Sequence, residues 1–143
     1  MTFDVEKTRK DFPILSREIQ GNILTYLDNA ASSQKPMEVL EGIKQFESND
    51  YSNVHRGLHT LSVLSTSAYE ESRKIVQKFL NAKSSDEIIF TSGGTDSVNL
   101  VASSYADENL SQGDEIIITT MEHHANIVPW HFLRERKGIQ IKW

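Results

Sequence analysis

Glu115-Ile116-Ile117-Ile118-Thr119-Thr120-Met121-Glu122-His123-His124-Ala125-Asn126-Ile127-Val128-Pro129-Trp130 reads as a strand that opens into a helix. Residues 115–120 form a short β-branched run, the pattern of a strand covered on both faces in a parallel sheet. A helix is predicted over residues 126–137, Gly138 ends it, and residues 139–143 begin another strand. That strand stops without a terminator, so the chain is expected to be cut within its fold. Upstream, Glu87-Ile88-Ile89-Phe90-Thr91 is a second such run, predicted to lie in the same parallel sheet. Between the two, Val98, Val101, Ala102 and Tyr105 make a helical stripe and Gly113-Asp114 the turn, so a βαβ crossover is the economical reading. The fold class expected is α/β, with an incomplete, mainly parallel sheet and flanking helices.

The first half of the chain is less regular. A short amphipathic segment, residues 5–12, meets the breaker Pro13, and a strand-like run, Ile23-Leu24-Thr25-Tyr26-Leu27, ends at Asp28-Asn29. Pro36 suits the first turn of a helix reaching about Asn49, and residues 50–60 read as a loop. From Leu61 to Leu80, the positions Leu61, Leu64, Ala68, Ser72, Ile75 and Phe79 step by three and four, so one face of a long helix is predicted to be buried. Residues 1–35 are thus expected to be an arm and strand. Residues 36–143 are expected to be helices plus the first part of a larger domain, with no repeat, low-complexity tract or linker to mark a second domain.

Composition narrows the functional classes. The 143 residues carry a net charge of −5, which is not the basic excess of a nucleic-acid binder. With no cysteine, disulfides, thiolate metal sites and a cysteine nucleophile are all excluded within these residues. Residues 1–7 lack the apolar core of a signal peptide, and no stretch is long enough to span a bilayer, so a cytoplasmic, non-membrane protein is expected.

Two segments carry candidate chemistry. In Phe90-Thr91-Ser92-Gly93-Gly94-Thr95-Asp96, a helix starting near Thr95 would present unpaired N–H groups and the positive end of its dipole, and the glycines let a phosphate approach closely. No lysine follows them, so this is not a P-loop. The plainer reading is a tight turn capped by Ser92 or Thr95. His123, just beyond a predicted strand, is placed where open α/β sheets bind ligands, and its ring can cover a flat cofactor while exchanging protons near neutral pH. A metal site is the rival, with His55 and His59 at i, i+4 spacing, but adjacent side chains such as His123 and His124 point oppositely in an extended segment. The blandest alternative makes one histidine a helix cap and packs the other on Trp130. Phosphate socket and ring face together suggest an aromatic phosphorylated cofactor and no metal.

Three spaced motifs, residues 26–36 (Tyr-Leu-Asp-Asn-Ala-Ala-Ser-Ser-Gln-Lys-Pro), 54–62 (Val-His-Arg-Gly-Leu-His-Thr-Leu-Ser) and 121–130, occur in an order that closely resembles the N-terminal part of the SUF-system cysteine desulfurases (SufS proteins). The resemblance runs to Trp143. It implies a fold-type-I, aspartate aminotransferase-like enzyme dependent on pyridoxal 5′-phosphate. Such an enzyme is a homodimer that converts L-cysteine to L-alanine, holds the sulfur as an enzyme persulfide and passes it to an acceptor protein of the SUF system for iron-sulfur cluster assembly. Related members are selenocysteine lyases acting on L-selenocysteine. By motif, His123 would stack on the pyridine ring and assist proton transfer, Gly94 and Thr95 would hold the phosphate, and Ala30, His55 and Arg56 would lie on the substrate or dimer side.

The chain departs from the family's Thr-Arg-Gly-Thr-Thr-Glu at residues 91–96. Gly94 loses a hydroxyl but keeps its N–H, and Ser92 removes a positive charge beside the turn, which implies weaker cofactor binding. The Schiff-base lysine and the persulfide cysteine belong to segments absent here, and no lysine sits in the family's Ser-x-His-Lys setting. The chain is therefore expected to be inactive alone. The alternatives are a non-enzymatic binding or interaction module and a fragment of another fold-type-I aminotransferase or lyase.

Overall fold

Asp4 opens the first helix, α1 (Val5–Lys10), by accepting the Lys7 N–H on its side chain. The computed structural model describes residues 3–143, and by internal packing these divide into two compact units between Ser85 and Asp86.

In the first unit, Pro13 starts a 3-10 turn, Pro13–Ser16. Two short antiparallel strands follow, β1 (Glu18–Ile19) and β2 (Asn22–Ile23), turned by Gln20 and Gly21 at φ 53° and 77°. The strand expected over residues 23–27 is thus confined to its first residue, because its partner supplies only two positions; the Leu24 N–H still reaches the Arg17 carbonyl. Pro36 stands just before α2 (Met37–Asn49), in extended conformation and with no side-chain cap, rather than within its first turn. The long α3 (Thr60–Leu80) ends on Asn81, whose left-handed φ of 55° closes the last turn.

The predicted burial of α3 is corrected. Leu61, Leu64, Ile75 and Phe79 are 42%, 45%, 59% and 87% exposed, whereas the fully buried residues are Ser62 and Ser65. The apolar stripe is not what seats this helix within the described residues. Serine hydroxyls do so, by holding the loop that precedes it.

In the second unit, α4 (Gly94–Ser103) and α5 (Tyr105–Asn109) are separate helices, and Ala102 and Ala106 are buried while Val101 and Tyr105 of the expected stripe are exposed. Then β3 (Glu115–Ile117), α6 (Val128–Lys137) and β4 (Gln140–Lys142) form a crossover that pairs β3 and β4 in parallel, Ile116 opposite Ile141. Leu133 of α6 is fully buried with Ala106 and Ile139, and Leu110, Ile116 and Trp130 pack around them. Gly138 at φ 74° terminates α6, a conformation that costs an L-residue about 1–2 kcal/mol.

The strand expected over residues 87–91 is also corrected. Glu87 closes a 3-10 turn, Ser85–Glu87, and residues 88–91 belong to neither ladder of the described residues. A β-branched run fits a strand, but a sheet needs a neighbour in register. The βαβ crossover is accordingly found one element later than expected. Mixed helix and sheet is borne out, with one parallel pair and one antiparallel pair among the described residues. None of their helices is long and apolar enough to cross a membrane.

Candidate functional site

The second unit carries the expected phosphate turn. Gly93 precedes α4 and offers no side-chain cap, so the first-turn N–H groups at Gly94 and Thr95 are left to an external acceptor. Nothing lies within 4 Å of the position a Cβ would take on Gly94. Ser92, Gly93, Gly94, Thr95, Asp96 and Asn99 line an open depression of about 510 Å³. The capping role considered for Ser92 or Thr95 is thus absent at the helix start, which fits the residues present to an anionic group. The turn is braced from within: the Thr91 hydroxyl is 2.6 Å from that of Ser97, and both hydroxyls reach the Gly93 carbonyl, at 3.1 and 3.2 Å. The Ser92 N–H donates to the Asp96 carboxylate at 3.1 Å. That carboxylate stands where the sequence offers no compensating cation, and an anion entering the turn meets its charge.

His123 follows β3 and lies in the same unit. Its Nδ1 accepts the Ala125 N–H at 3.1 Å, capping a 3-10 turn, His124–Asn126, that packs against α4. The glycine turn's helix and the histidine's turn are therefore neighbours. His123 and His124 are both exposed, their rings edge to face at 6.3 Å, and the described residues contain no group of three or more potential metal ligands.

Glu122 is the residue that sequence reading passed over. Its Oε1 accepts the Thr119 hydroxyl at 2.9 Å and its Oε2 the Asn126 side-chain amide at 3.0 Å. The hydrogen bonds from Asn126 and then Thr119 hold this carboxyl below the usual carboxylate range. Asn126 in turn accepts the Trp130 indole N–H at 2.9 Å. Glu122 lies before both the 3-10 turn and α6, so no helical spacing in the sequence marks it.

The other expected residues lie in the first unit. Ala30 is exposed in a turn between Asp28 and Ser32, where the Tyr26 hydroxyl is 2.5 Å from the Ser32 carbonyl. His55 and Arg56 are exposed in the loop before α3. His55 takes φ 64°, its N–H donates to the Thr66 hydroxyl at 2.9 Å, and its Nε2 is 2.8 Å from Glu70. Its ring meets Tyr69 edge-on at 5.6 Å. Gly57, two residues on, leaves room for Ser62, because a Cβ there would sit 2.6 Å from it. The Ser62 hydroxyl accepts the Gly57 N–H and donates to the Asn53 carbonyl, at 3.0 and 2.7 Å, and that of Ser65 donates to the Asp50 carbonyl at 2.7 Å. His59 caps α3 through its Nδ1. These hydroxyls and His59 make the His55-Arg56-Gly57 segment a fixed structure, which its Gly and polar composition alone does not disclose.

Comparison with known proteins agrees with the motif pattern. Over 142 residues the chain is 54% identical to a cysteine desulfurase of Salmonella dublin and 53% identical to that of Salmonella typhimurium, in each case covering 99% of this chain and 35% of the relative. The chain thus spans about a third of the length of these curated relatives. Its fold matches the apo cysteine desulfurase of Thermococcus onnurineus NA1 with a TM-score of 0.84 at 38% identity, over all of this chain and 34% of that one. It also matches the cysteine desulfurase CsdA (S-sulfonic acid) of Escherichia coli with a TM-score of 0.70 at 34% identity, over 99% of this chain and 34% of that one. The fold is therefore that of fold-type-I enzymes, a class that depends on pyridoxal phosphate. Residues 25–143 match the aminotransferase class-V model, and the chain belongs to the aminotransferase class-V family.

Proposed function

We propose that this chain is the N-terminal portion of a pyridoxal-phosphate-dependent cysteine desulfurase that converts L-cysteine to L-alanine and an enzyme persulfide. The observation that carries this reading is the uncapped start of α4 with the His123 turn packed against the same helix. Gly94 and Thr95 would hold the cofactor phosphate on their backbone N–H groups, with the Thr95 hydroxyl as a further donor. His123 would cover the pyridine ring and move a proton on its outward nitrogen. When bound, the cofactor supplies the electron sink for cleavage of the cysteine carbon–sulfur bond. Ala30, His55 and Arg56 are assigned to the substrate or dimer side, where the Arg56 guanidinium suits a carboxylate. Residues 1–35 serve as arm and strand, and residues 36–143 as helices plus the first part of the cofactor-binding domain.

The absence of any cysteine means these residues cannot carry the persulfide, so the activity is assigned to a longer, homodimeric, cytoplasmic protein that serves a SUF-system acceptor. Selenocysteine is the natural second substrate of such a site. Titrating the chain with pyridoxal phosphate, followed by quenching of Trp130 and Trp143 fluorescence, should give a saturable site. His123→Ala should weaken that site about tenfold or more, the loss of one ring face and its contacts. Binding that is absent, or indifferent to His123→Ala, overturns the assignment of the site. Adding L-cysteine should release neither alanine nor sulfide; turnover by the chain alone would refute its inactivity.

A further inference from the structure

We propose that Glu122 is a positioning residue for His123, clamping a turn in which the imidazole is fixed as its Nε2-protonated tautomer. The tautomer follows from donor chemistry. A backbone N–H can only donate, so the Ala125 N–H at 3.1 Å requires a lone pair on His123 Nδ1, and the proton of the neutral ring then resides on Nε2. The alternative tautomer would set two N–H groups against each other and lose the cap.

The clamp follows from the same accounting. The Trp130 indole is also only a donor, so the Asn126 carbonyl oxygen must face it at 2.9 Å. The Asn126 amide nitrogen is thereby directed at Glu122, whose second oxygen holds Thr119. Thr119 precedes the histidine and Asn126 follows it, and the Asn126 N–H donates to the His123 carbonyl at 2.8 Å. One carboxylate thus ties Thr119 to Asn126 across the six residues between them, and the Ala125 bond orients the His123 ring within that segment. The catalytic meaning of this arrangement rests on the proposed role of His123, since a fixed Nε2 proton is one presented away from the turn. The arrangement itself does not.

Long-range ¹H–¹⁵N correlation of the histidine rings in the ¹⁵N-labelled chain, at about pH 8 where imidazoles are neutral, reads the tautomer directly. His123 should give a single Nε2–H pattern. In Glu122→Ala it should shift toward the averaged pattern of two exchanging tautomers, with the Trp130 indole resonance displaced and His131 unchanged. Glu122→Gln can give its one carbonyl oxygen to Asn126 and its amide N–H to the Thr119 hydroxyl, a neutral clamp that should fall between; it decides the matter if Glu122→Ala loses its dispersed amide spectrum. An Nδ1–H pattern in the wild type, or a wild-type His123 pattern in the variants, would overturn the proposal. Failure of the chain to bind pyridoxal phosphate with the Nε2–H pattern intact would instead remove the cofactor reading and leave the clamp standing.

Discussion

The two units of the chain solve the same problem with different materials. In the second unit, α6 is seated by a dry contact, with Leu133 fully buried among Ala106 and Ile139. In the first, α3 holds its preceding loop through Ser62 and Ser65 while Leu61, Leu64, Ile75 and Phe79 remain exposed. The difference teaches where each candidate segment gets its rigidity. His123 sits on a turn whose following helix is anchored by apolar packing, whereas His55 and Arg56 sit on a loop held by directional hydrogen bonds. Apolar burial is tolerant of direction and graded in area, while a buried hydroxyl with two partners is all or nothing.

The largest expected effect breaks the apolar side of this contrast. Leu133→Ala removes a side chain with no exposure and should destabilise the second unit by about 2–5 kcal/mol, the range for large-to-small substitutions in a core. Hydrogen exchange should show faster opening of α6 and β4 amides, with those of the loop at residues 50–59 unaffected. Equal loosening of that loop would mean that the two units do not open independently.

A smaller effect should break the polar side. Ser62→Ala removes the acceptor for the Gly57 N–H and the donor to the Asn53 carbonyl, leaving both to find water. The cost should be about 0.5–1.5 kcal/mol, that of a hydrogen bond whose partners can turn to water. Exchange at Gly57 should accelerate while α6 stays protected. Unchanged protection at Gly57 would show that this hydroxyl does not hold the loop.

The same contrast explains what could be read from the sequence. The strand, helix and strand of residues 115–142 were legible because a β-branched run, a helical segment and Gly138 each announce themselves locally, although the crossover was expected one element earlier. Residues 87–91 carry the same signature, yet they join no ladder among the described residues, because pairing depends on a neighbour that composition does not reveal. On α3 the helix itself was legible from its period, but its buried face was not: periodicity marks the apolar stripe, and here the groups with partners are Ser62 and Ser65. The candidate site follows the same rule. His123, Gly94 and Thr95 were visible as residue types at the mouths of elements. Glu122 was not, since its part depends on two hydrogen-bond partners, Thr119 and Asn126, that only the folded turn assembles.

The smallest effect sharpens the comparison through pH. Glu122 is held below the usual carboxylate range by Asn126 and Thr119, and Asp107 is lowered chiefly by its 2.9 Å hydrogen bond from Arg136. Both lie in the second unit, and in both the ionised form is favoured by folding. A depressed carboxyl contributes its stabilisation fully above the unfolded-state value, loses it progressively as pH falls toward the folded value, and contributes nothing below that. Acidification below about pH 4, past the usual carboxylate range, should therefore weaken the second unit, first loosening the Asn126 and Trp130 contacts. The Trp130 indole resonance should move in that window, and the movement should be abolished in Glu122→Gln. The Gly57 amide, donated to a hydroxyl that does not titrate there, provides the reference once its exchange is corrected for the intrinsic effect of pH. A Trp130 resonance that stays constant on acidification until the unit itself unfolds would show that the Glu122 charge does not maintain the turn, and that Asn126 alone suffices to hold the indole beside His123.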